Sequence, residues 1–196
     1  MRPYACSAWA GCWSLGSGDR TGGAMRLTAK RLTKIGCGPN CENHKKFLEV
    51  FPQGAEVTWG NIEKALAAGL EVGRLAEMGV FSRAMTLRLL PTLAGYWRSR
   101  VFCDCPRLTR EDVLAALPTL DVYWRGRVVR DCPRLLREDV LAALPMLDAY
   151  WRGVVVCDCP RLLREDVLAA LPTLNAYWRG EVVSNCPQLT ADDREC

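Results

Sequence analysis

A unit of 27 residues, repeated along the second half of the chain, constrains the fold more than any other feature. Cys-Pro pairs recur at this interval from residue 105, Leu-Pro pairs from residue 90 and Tyr-Trp pairs from residue 96. A fixed period of roughly 20–50 residues is typical of stacked architectures, in which a unit buries its apolar face only against its neighbours. The sequence therefore predicts an array of stacked units.

The limits of the array follow from where the pattern starts and ends. We interpret residues 1–24 as a tail or an untranslated extension, with Met25 as the natural start, and residues 25–78 as a small helical module. The array over residues 79–196 divides into units 79–104, 105–131, 132–158 and 159–185, with a partial cap over 186–196. Its first and last copies are degraded, as expected for terminal units that face water.

Each unit combines a clear helix with a segment of different pattern. Thr109 and the acidic residues after it predict a capped helix start, and Pro118 predicts the helix end. The β-branched pair Val128-Val129 follows a Tyr-Trp pair, which we interpret as core, and predicts a short strand or hairpin. The expected fold class is therefore α/β, a short solenoid of strand–helix repeats preceded by the helical module.

The segment from Cys105 to Leu117, Cys-Pro-Arg-Leu-Thr-Arg-Glu-Asp-Val-Leu-Ala-Ala-Leu, resembles the cysteine-containing class of leucine-rich repeats. The resemblance covers the helix half of each unit. It implies a solenoid with a concave strand face, a protein-binding role and a buried cysteine in each repeat. The chain departs from that family before the cysteine, where Arg127-Val-Val-Arg130 replaces a strand with two alternating leucines. The same segment is also similar, less closely, to the closing helix of a small antitoxin-type domain.

Differences between the copies predict an interaction face. Two positions beside the expected strand vary from unit to unit, while the helix and the Leu-Pro positions barely change. Variation confined to one surface of a constant scaffold favours recognition, and drift after duplication is the alternative. The candidate interaction face comprises Arg100, Arg127, Arg130, Val154, Cys157, Glu181 and Ser184.

Cys37, Cys41 and His44 form a cluster of metal-ligand type. Three soft ligands within eight residues could hold zinc if a fourth came from elsewhere. In the competing interpretation, Cys41 and His44 lie at a helix start and cover a small core. The expectation is that the protein has no cofactor, with zinc as the alternative.

Charge and composition disfavour several classes of function. The net charge is +4, and Glu-Asp pairs balance the arginines within the units, so the repeated basic stripe of a nucleic-acid-binding array is missing. No apolar run approaches the roughly 20 residues of a membrane helix. Without a credible export signal, the eleven cysteines are expected to be mostly free thiols in a reducing cytoplasm.

A non-enzymatic role is the leading expectation. The chain has one histidine and lacks the Ser-His-Asp, Walker and Rossmann patterns. We therefore expect a protein–protein interaction or scaffold repeat protein with a protein partner. A metal- or redox-responsive regulator that uses the cysteine-rich sites is the alternative, and a DNA-binding antitoxin-like protein is the third hypothesis.

Overall fold

The computed structural model describes residues 25–34 and 40–194. Within these residues the chain forms twelve α-helices and a two-stranded antiparallel sheet. The elements before the array are β1 (Arg26–Leu27), α1 (Ala29–Lys34), α2 (Glu42–Val50), β2 (Ala55–Glu56), α3 (Trp59–Ala67) and α4 (Gly73–Glu77).

The elements before the array form a small module around an apolar core. Thr58 caps α3, because its side-chain oxygen accepts the backbone N–H of Asn61 at 3.3 Å. Gly69 follows α3 with a φ of 71°, a left-handed conformation that favours glycine at a helix end. Phe47 of α2 and Ile62 of α3 are buried in the core that these helices share with the two strands.

Every unit of the array consists of two helices joined by a single 3₁₀ turn. The short first helix of a unit is called helix A and the longer second helix is called helix B. The A helices are α5 (Arg83–Leu89), α7 (Arg110–Ala116), α9 (Arg137–Ala143) and α11 (Arg164–Ala170). The B helices are α6 (Gly95–Asp104), α8 (Val122–Asp131), α10 (Ala149–Asp158) and α12 (Ala176–Asn185). The 3₁₀ turns are Leu90–Thr92, Leu117–Thr119, Leu144–Met146 and Leu171–Thr173, and Asp192–Arg194 forms a last one.

The repeat is confirmed, but the predicted strand and the α/β fold class are wrong. Val128 and Val129 are fully buried residues of α8, and the only sheet in the described part of the chain is β1–β2. The structure is a helical repeat, so it gives no support to membership of the leucine-rich repeats. Asp121 starts α8 by accepting the backbone N–H of Trp124 at 3.0 Å. Packing against neighbouring helices then outweighs the strand preference of β-branched and aromatic residues.

The B helices pack side by side and carry the core of the array. α8 contacts α6 on one side and α10 on the other, and α10 contacts α12. In the same way α4 packs against α6, so the module covers the first unit. A fully buried cysteine ends each B helix, as predicted for a small apolar residue. These four residues are Cys105, Cys132, Cys159 and Cys186.

Close tryptophan–glycine packing joins successive B helices. Trp151 lies on Gly126 of the preceding unit, and Trp178 lies on Gly153 in the same way. The space beside each of these glycines is filled by the indole ring, so a Cβ atom there would overlap it. Gly180, at the same position of the last B helix, has no such neighbour within 4 Å. Of the described helices, none is both long and apolar enough to cross a bilayer.

Candidate protein-binding surface

Arginine–aspartate pairs join the units along the edge where a B helix leads into the next A helix. Arg110 makes two bonds to the carboxylate of Asp139 in the following unit, at 2.6 Å from Nε and 2.5 Å from Nη2. The same carboxylate accepts the backbone N–H of Leu136 at 2.8 Å and so caps its own helix. Equivalent pairs are Arg83–Asp112, Arg137–Asp166 and Arg164–Asp193. Bidentate, charge-assisted bonds of this kind fix geometry as well as adding stability.

A second set of arginines binds the ends of the B helices. Arg134 donates to the carbonyl oxygen of Phe102 at 3.1 Å and to that of Cys103 at 2.8 Å, both near the end of the preceding B helix. Arg161 donates to the carbonyl oxygens of Val129 and Arg130, each at 2.7 Å. These bonds satisfy C-terminal carbonyls that a helix leaves without a partner. Much of the positive charge of the array is therefore committed to holding the units together.

The opposite edge, where an A helix leads into its B helix, exposes one tyrosine per unit. The exposed fraction of these residues rises along the array from 45% to 67%. We call this set the tyrosine row: Tyr96, Tyr123, Tyr150 and Tyr177. The prediction that the tyrosines belong to the core is therefore wrong, whereas the neighbouring tryptophans are buried or half-buried.

Tryptophan rings hold the tyrosine row in a fixed orientation. The ring of Tyr123 lies 4.7 Å from that of Trp124 and 5.2 Å from that of Trp151 in the next unit, edge-to-face in both cases. Tyr150 contacts Trp178 in the same arrangement at 5.6 Å. Edge-to-face contacts at these distances are favourable for aromatic rings. Because the rings are already ordered, a partner that binds them loses little side-chain entropy.

The surroundings of the row are apolar with a limited polar rim. Val122 and Met146 lie on the same edge and are 40% and 39% exposed. The Arg127 guanidinium lies 5.9 Å from the centre of the Tyr96 ring, within reach of a cation–π interaction. Packed helices lie roughly 8–10 Å apart, so four tyrosines span roughly 25–30 Å. The edge is thus an extended aromatic surface on a rigid support.

The seven positions of the predicted interaction face lie on the B helices and do not form one accessible surface. Val154 and Cys157, both in α10, are only 7% exposed. Arg100 instead binds Glu77 of the module, at 2.5 Å. The remaining positions are half-buried or exposed, and of these Arg127 borders the tyrosine row; they are Arg127, Arg130, Glu181 and Ser184.

If the Tyr-Trp segment is interpreted as a helix, the exposure of its tyrosine can be predicted. Neighbouring residues on a helix lie about 100° apart, so a Tyr-Trp pair in a helix cannot bury both rings on one face. In a strand the same pair is compatible with burial between two layers. The error about the strand therefore led directly to the error about the tyrosines.

The predicted metal cluster is only partly within the described residues. Cys37 lies outside them. Cys41 is exposed at the N-cap of α2, and His44 is buried in the first turn of the same helix. The described ranges contain no group of three or more histidine, cysteine, aspartate or glutamate side chains placed to hold a metal ion. Zinc bound by Cys37, Cys41 and His44 stays a prediction.

Two cysteine side chains from successive units lie close to each other. Interaction with the Cys132 thiol of the next unit raises the pKa of Cys103, and the same interaction lowers the pKa of Cys132. Cys132 also donates to the carbonyl oxygen of Phe102 at 3.3 Å. Burial raises the pKa of Cys157 to about 12, so this thiol stays protonated at neutral pH. The pair Cys103 and Cys132 could act chemically as a dithiol.

No protein-family model matches this chain, and no curated protein or solved structure is significantly similar to it.

Proposed function

We propose that this chain is a non-enzymatic scaffold repeat protein whose tyrosine row binds a protein partner. The observation that carries the proposal is the exposure of a tyrosine at the same position of four successive units, each held by tryptophan. Exposed aromatic patches mark interaction sites, and tyrosine is enriched among the residues that contribute most to binding. A rigid repeat with a regular aromatic edge is suited to that role.

The chemistry of the row defines the partner in general terms. Ring faces and edges favour apolar or aromatic side chains, and the phenolic hydroxyls can exchange hydrogen bonds with polar groups of the partner. The two middle units carry net charges of +1 and −1, so electrostatic attraction contributes little. We therefore expect the affinity to change little with salt, in contrast to nucleic-acid binding, which weakens steeply.

The test compares two edges of the same molecule. The partner is first identified by cross-linking in an extract of the natural host and then purified. Its affinity is measured by calorimetry for the wild type, for Y96S/Y123S/Y150S and for the control L136S/L163S. Leu136 and Leu163 are each 46% exposed and lie on the opposite edge, at the starts of A helices. The tyrosine variant should bind at least about tenfold more weakly, and the control within about twofold of the wild type.

The proposal fails if the tyrosine variant binds the partner as tightly as the wild type. Circular dichroism and the urea unfolding midpoint establish that both variants are folded. A tyrosine variant that is folded and loses binding, beside a control that keeps it, supports the row as the binding surface.

The Cys103–Cys132 contact favours a second candidate, a redox-responsive regulator. A peroxide would oxidise one thiolate to a sulfenic acid with release of hydroxide, and the second thiol would displace water to form a disulfide between units. Treatment with hydrogen peroxide should then lower the mass by two hydrogens in the wild type but not in C103S, with C41S as the control. Retention of both thiols in the oxidised wild type would exclude this candidate.

A further inference from the structure

A cavity of about 160 Å³ lies inside the module, between the two strands, α2, α3 and the first unit of the array. Its walls are formed mainly by core side chains, including Phe47, Phe51, Ile62, Leu70 and Phe81. Protein cores are normally filled to the density of organic crystals, so a partly enclosed apolar space of this size beside the core is unusual. An apolar cavity of about 150 Å³ in another protein stays dry and takes up benzene. We propose that this cavity binds a small, uncharged, apolar molecule of the size of benzene or toluene.

Two alanines leave the space that a ligand would occupy. Ala55 of β2 and Ala65 of α3 line the cavity, and each is 7% exposed. Larger apolar residues at these positions would fill part of the volume.

The two amide side chains beside the cavity already have hydrogen-bond partners. The side-chain amide of Asn43 donates to the carbonyl oxygen of Glu71 at 3.1 Å and accepts the N–H of Glu71 at 2.9 Å. Asn61 donates to the carbonyl oxygen of Glu56 at 2.9 Å. Among the described residues that line the cavity, no buried side-chain nitrogen or oxygen lacks a partner. A ligand is therefore held by shape and apolar contact, and a polar group on it would be left without a hydrogen bond.

The cavity has an open side and a contact with the array. Cys41 and Glu71 line it and are exposed, so they mark where a molecule enters. On the other side, Phe81 and Trp97 belong to the first unit, and Trp97 also packs on Gly73 of α4. A bound molecule would touch both parts of the chain and strengthen the contact between them. This site is independent of the tyrosine row.

Toluene and phenol, which have nearly the same shape, test the proposal on the full wild-type chain. Toluene should bind and raise the thermal unfolding midpoint with increasing concentration. Phenol should bind at least about tenfold more weakly, because its hydroxyl would be buried without a partner. Absence of toluene binding, or equal binding of both compounds, overturns the proposal.

The NMR signal of a single methyl group can show where toluene binds. The sequence contains two isoleucines, Ile35 and Ile62, and Ile62 lines the cavity. In a protein labelled at isoleucine methyls, toluene should shift the Ile62 signal through its ring current, and I62V assigns that signal. An unchanged Ile62 signal at saturating toluene contradicts the proposed site.

A substitution that fills the cavity, compared with the same substitution at an exposed position, also tests the site. A65L should reduce toluene binding at least about tenfold, while A115L, at an exposed position of α7, should bind as the wild type does. A folded A65L variant that binds toluene unchanged contradicts the proposal. If A65L does not fold, the comparison of toluene with phenol still decides.

Discussion

The aspartate at the third position of an A helix acts within its own unit and between units. The carboxylate of Asp139 accepts a hydrogen bond from the backbone N–H of Leu136 and two from the side chain of Arg110. The side chain of Asp139 is 6% exposed, while that of Arg110 is 35% exposed. The carboxylate therefore depends on its partners for the solvation that it loses, whereas the guanidinium keeps access to water.

The stability of the fold should decrease in acid. Hydrogen bonds from arginine lower the pKa of Asp112, Asp139 and Asp166 in the folded chain, against about 3.9 in an unfolded chain. Such groups contribute stability that is complete above the unfolded pKa and is lost as the pH falls through the folded pKa. Burial raises the pKa of Asp104, which opposes the effect. Urea midpoints measured from pH 7 to pH 2 should therefore fall below about pH 4.

The variant D112N/D139N/D166N provides the comparison for this pH dependence. Its urea midpoint should be lower than that of the wild type at pH 7 and should change less between pH 5 and pH 2. Parallel pH profiles of the two proteins would contradict the assignment of acid sensitivity to these pairs.

Leucine stands at the N-cap position of two A helices where threonine stands in another. The Thr109 hydroxyl oxygen accepts the N–H of Asp112 at 3.3 Å, whereas Leu136 makes no side-chain cap bond and is 46% exposed. L136T should raise the free energy of unfolding by about 0.5–1 kcal/mol, because its hydroxyl adds a side-chain acceptor for the N–H of Asp139, which now bonds only the carbonyl oxygen of Leu136 at 3.1 Å. The reverse change, T109L, should lower it by a similar amount. Urea unfolding checks both, and equal stabilities for the two variants would contradict the expectation.

At the scale of the element, the two helices of a unit differ in how they are determined. An A helix has local signals at both ends, the cap at Thr109 and the proline at 118, and was predicted from them. A B helix contains Tyr, Trp, Val and Gly, which do not favour a helix. Its N-cap, such as Asp121 in α8, is a local signal, but the helix is also held by the packing of Trp151 on Gly126 of the preceding unit, a contact between residues far apart in sequence. Periodicity within one unit could not indicate that contact.

The glycines of the B helices allow a matched test of this packing. G126A should destabilise the chain by about 1–2 kcal/mol, because the new methyl group overlaps Trp151 and this outweighs the better helix propensity of alanine. G180A changes the same position of the last unit, where nothing lies within 4 Å. It should stabilise the chain by about 0.5–1 kcal/mol.

Urea unfolding of the two glycine variants provides the measurement. The same sign for both changes would show that the tryptophan contact does not decide the outcome at Gly126.

Most of the candidate site could not be predicted from the sequence, for the same reason that the B helices could not. Variation between copies directed attention to Val154 and Cys157, which the structure buries. The tyrosines do not vary, and as partners of tryptophan they resemble core residues. In the three-dimensional repeat each tryptophan packs against the preceding unit, which leaves Tyr123 and its equivalents on the surface.

At the scale of the whole molecule, successive units are held together by nearly identical sets of contacts, which we call joints. Each joint contains an arginine–aspartate pair, and the three joints between full units also contain a tryptophan against a glycine of the preceding unit. The stability of such an array is close to a sum of unit and joint contributions. Removing one whole unit should therefore remove one joint and leave the others in place.

Deletion of residues 132–158 tests this additivity. The deletion joins Asp131 to Cys159, brings Trp178 against Gly126 and brings Arg110 against Asp166, which are the same residue types as in the intact chain. The shortened protein should fold cooperatively, with a lower free energy of unfolding and a lower urea m-value, since less surface is buried. Circular dichroism and urea unfolding measure both, and a shortened chain without a cooperative transition would contradict the expectation.

Because the joints are alike, the contacts of a unit do not distinguish its own neighbour from an equivalent unit elsewhere. Arg110 meets the same chemistry in Asp166 as in Asp139, so only the short tether between successive units makes one encounter more frequent than the other. A proteolytic cut between Asp131 and Cys132 would remove that advantage. We expect nicked molecules to exchange their terminal fragments with other copies, because any donor fragment carries a matching joint.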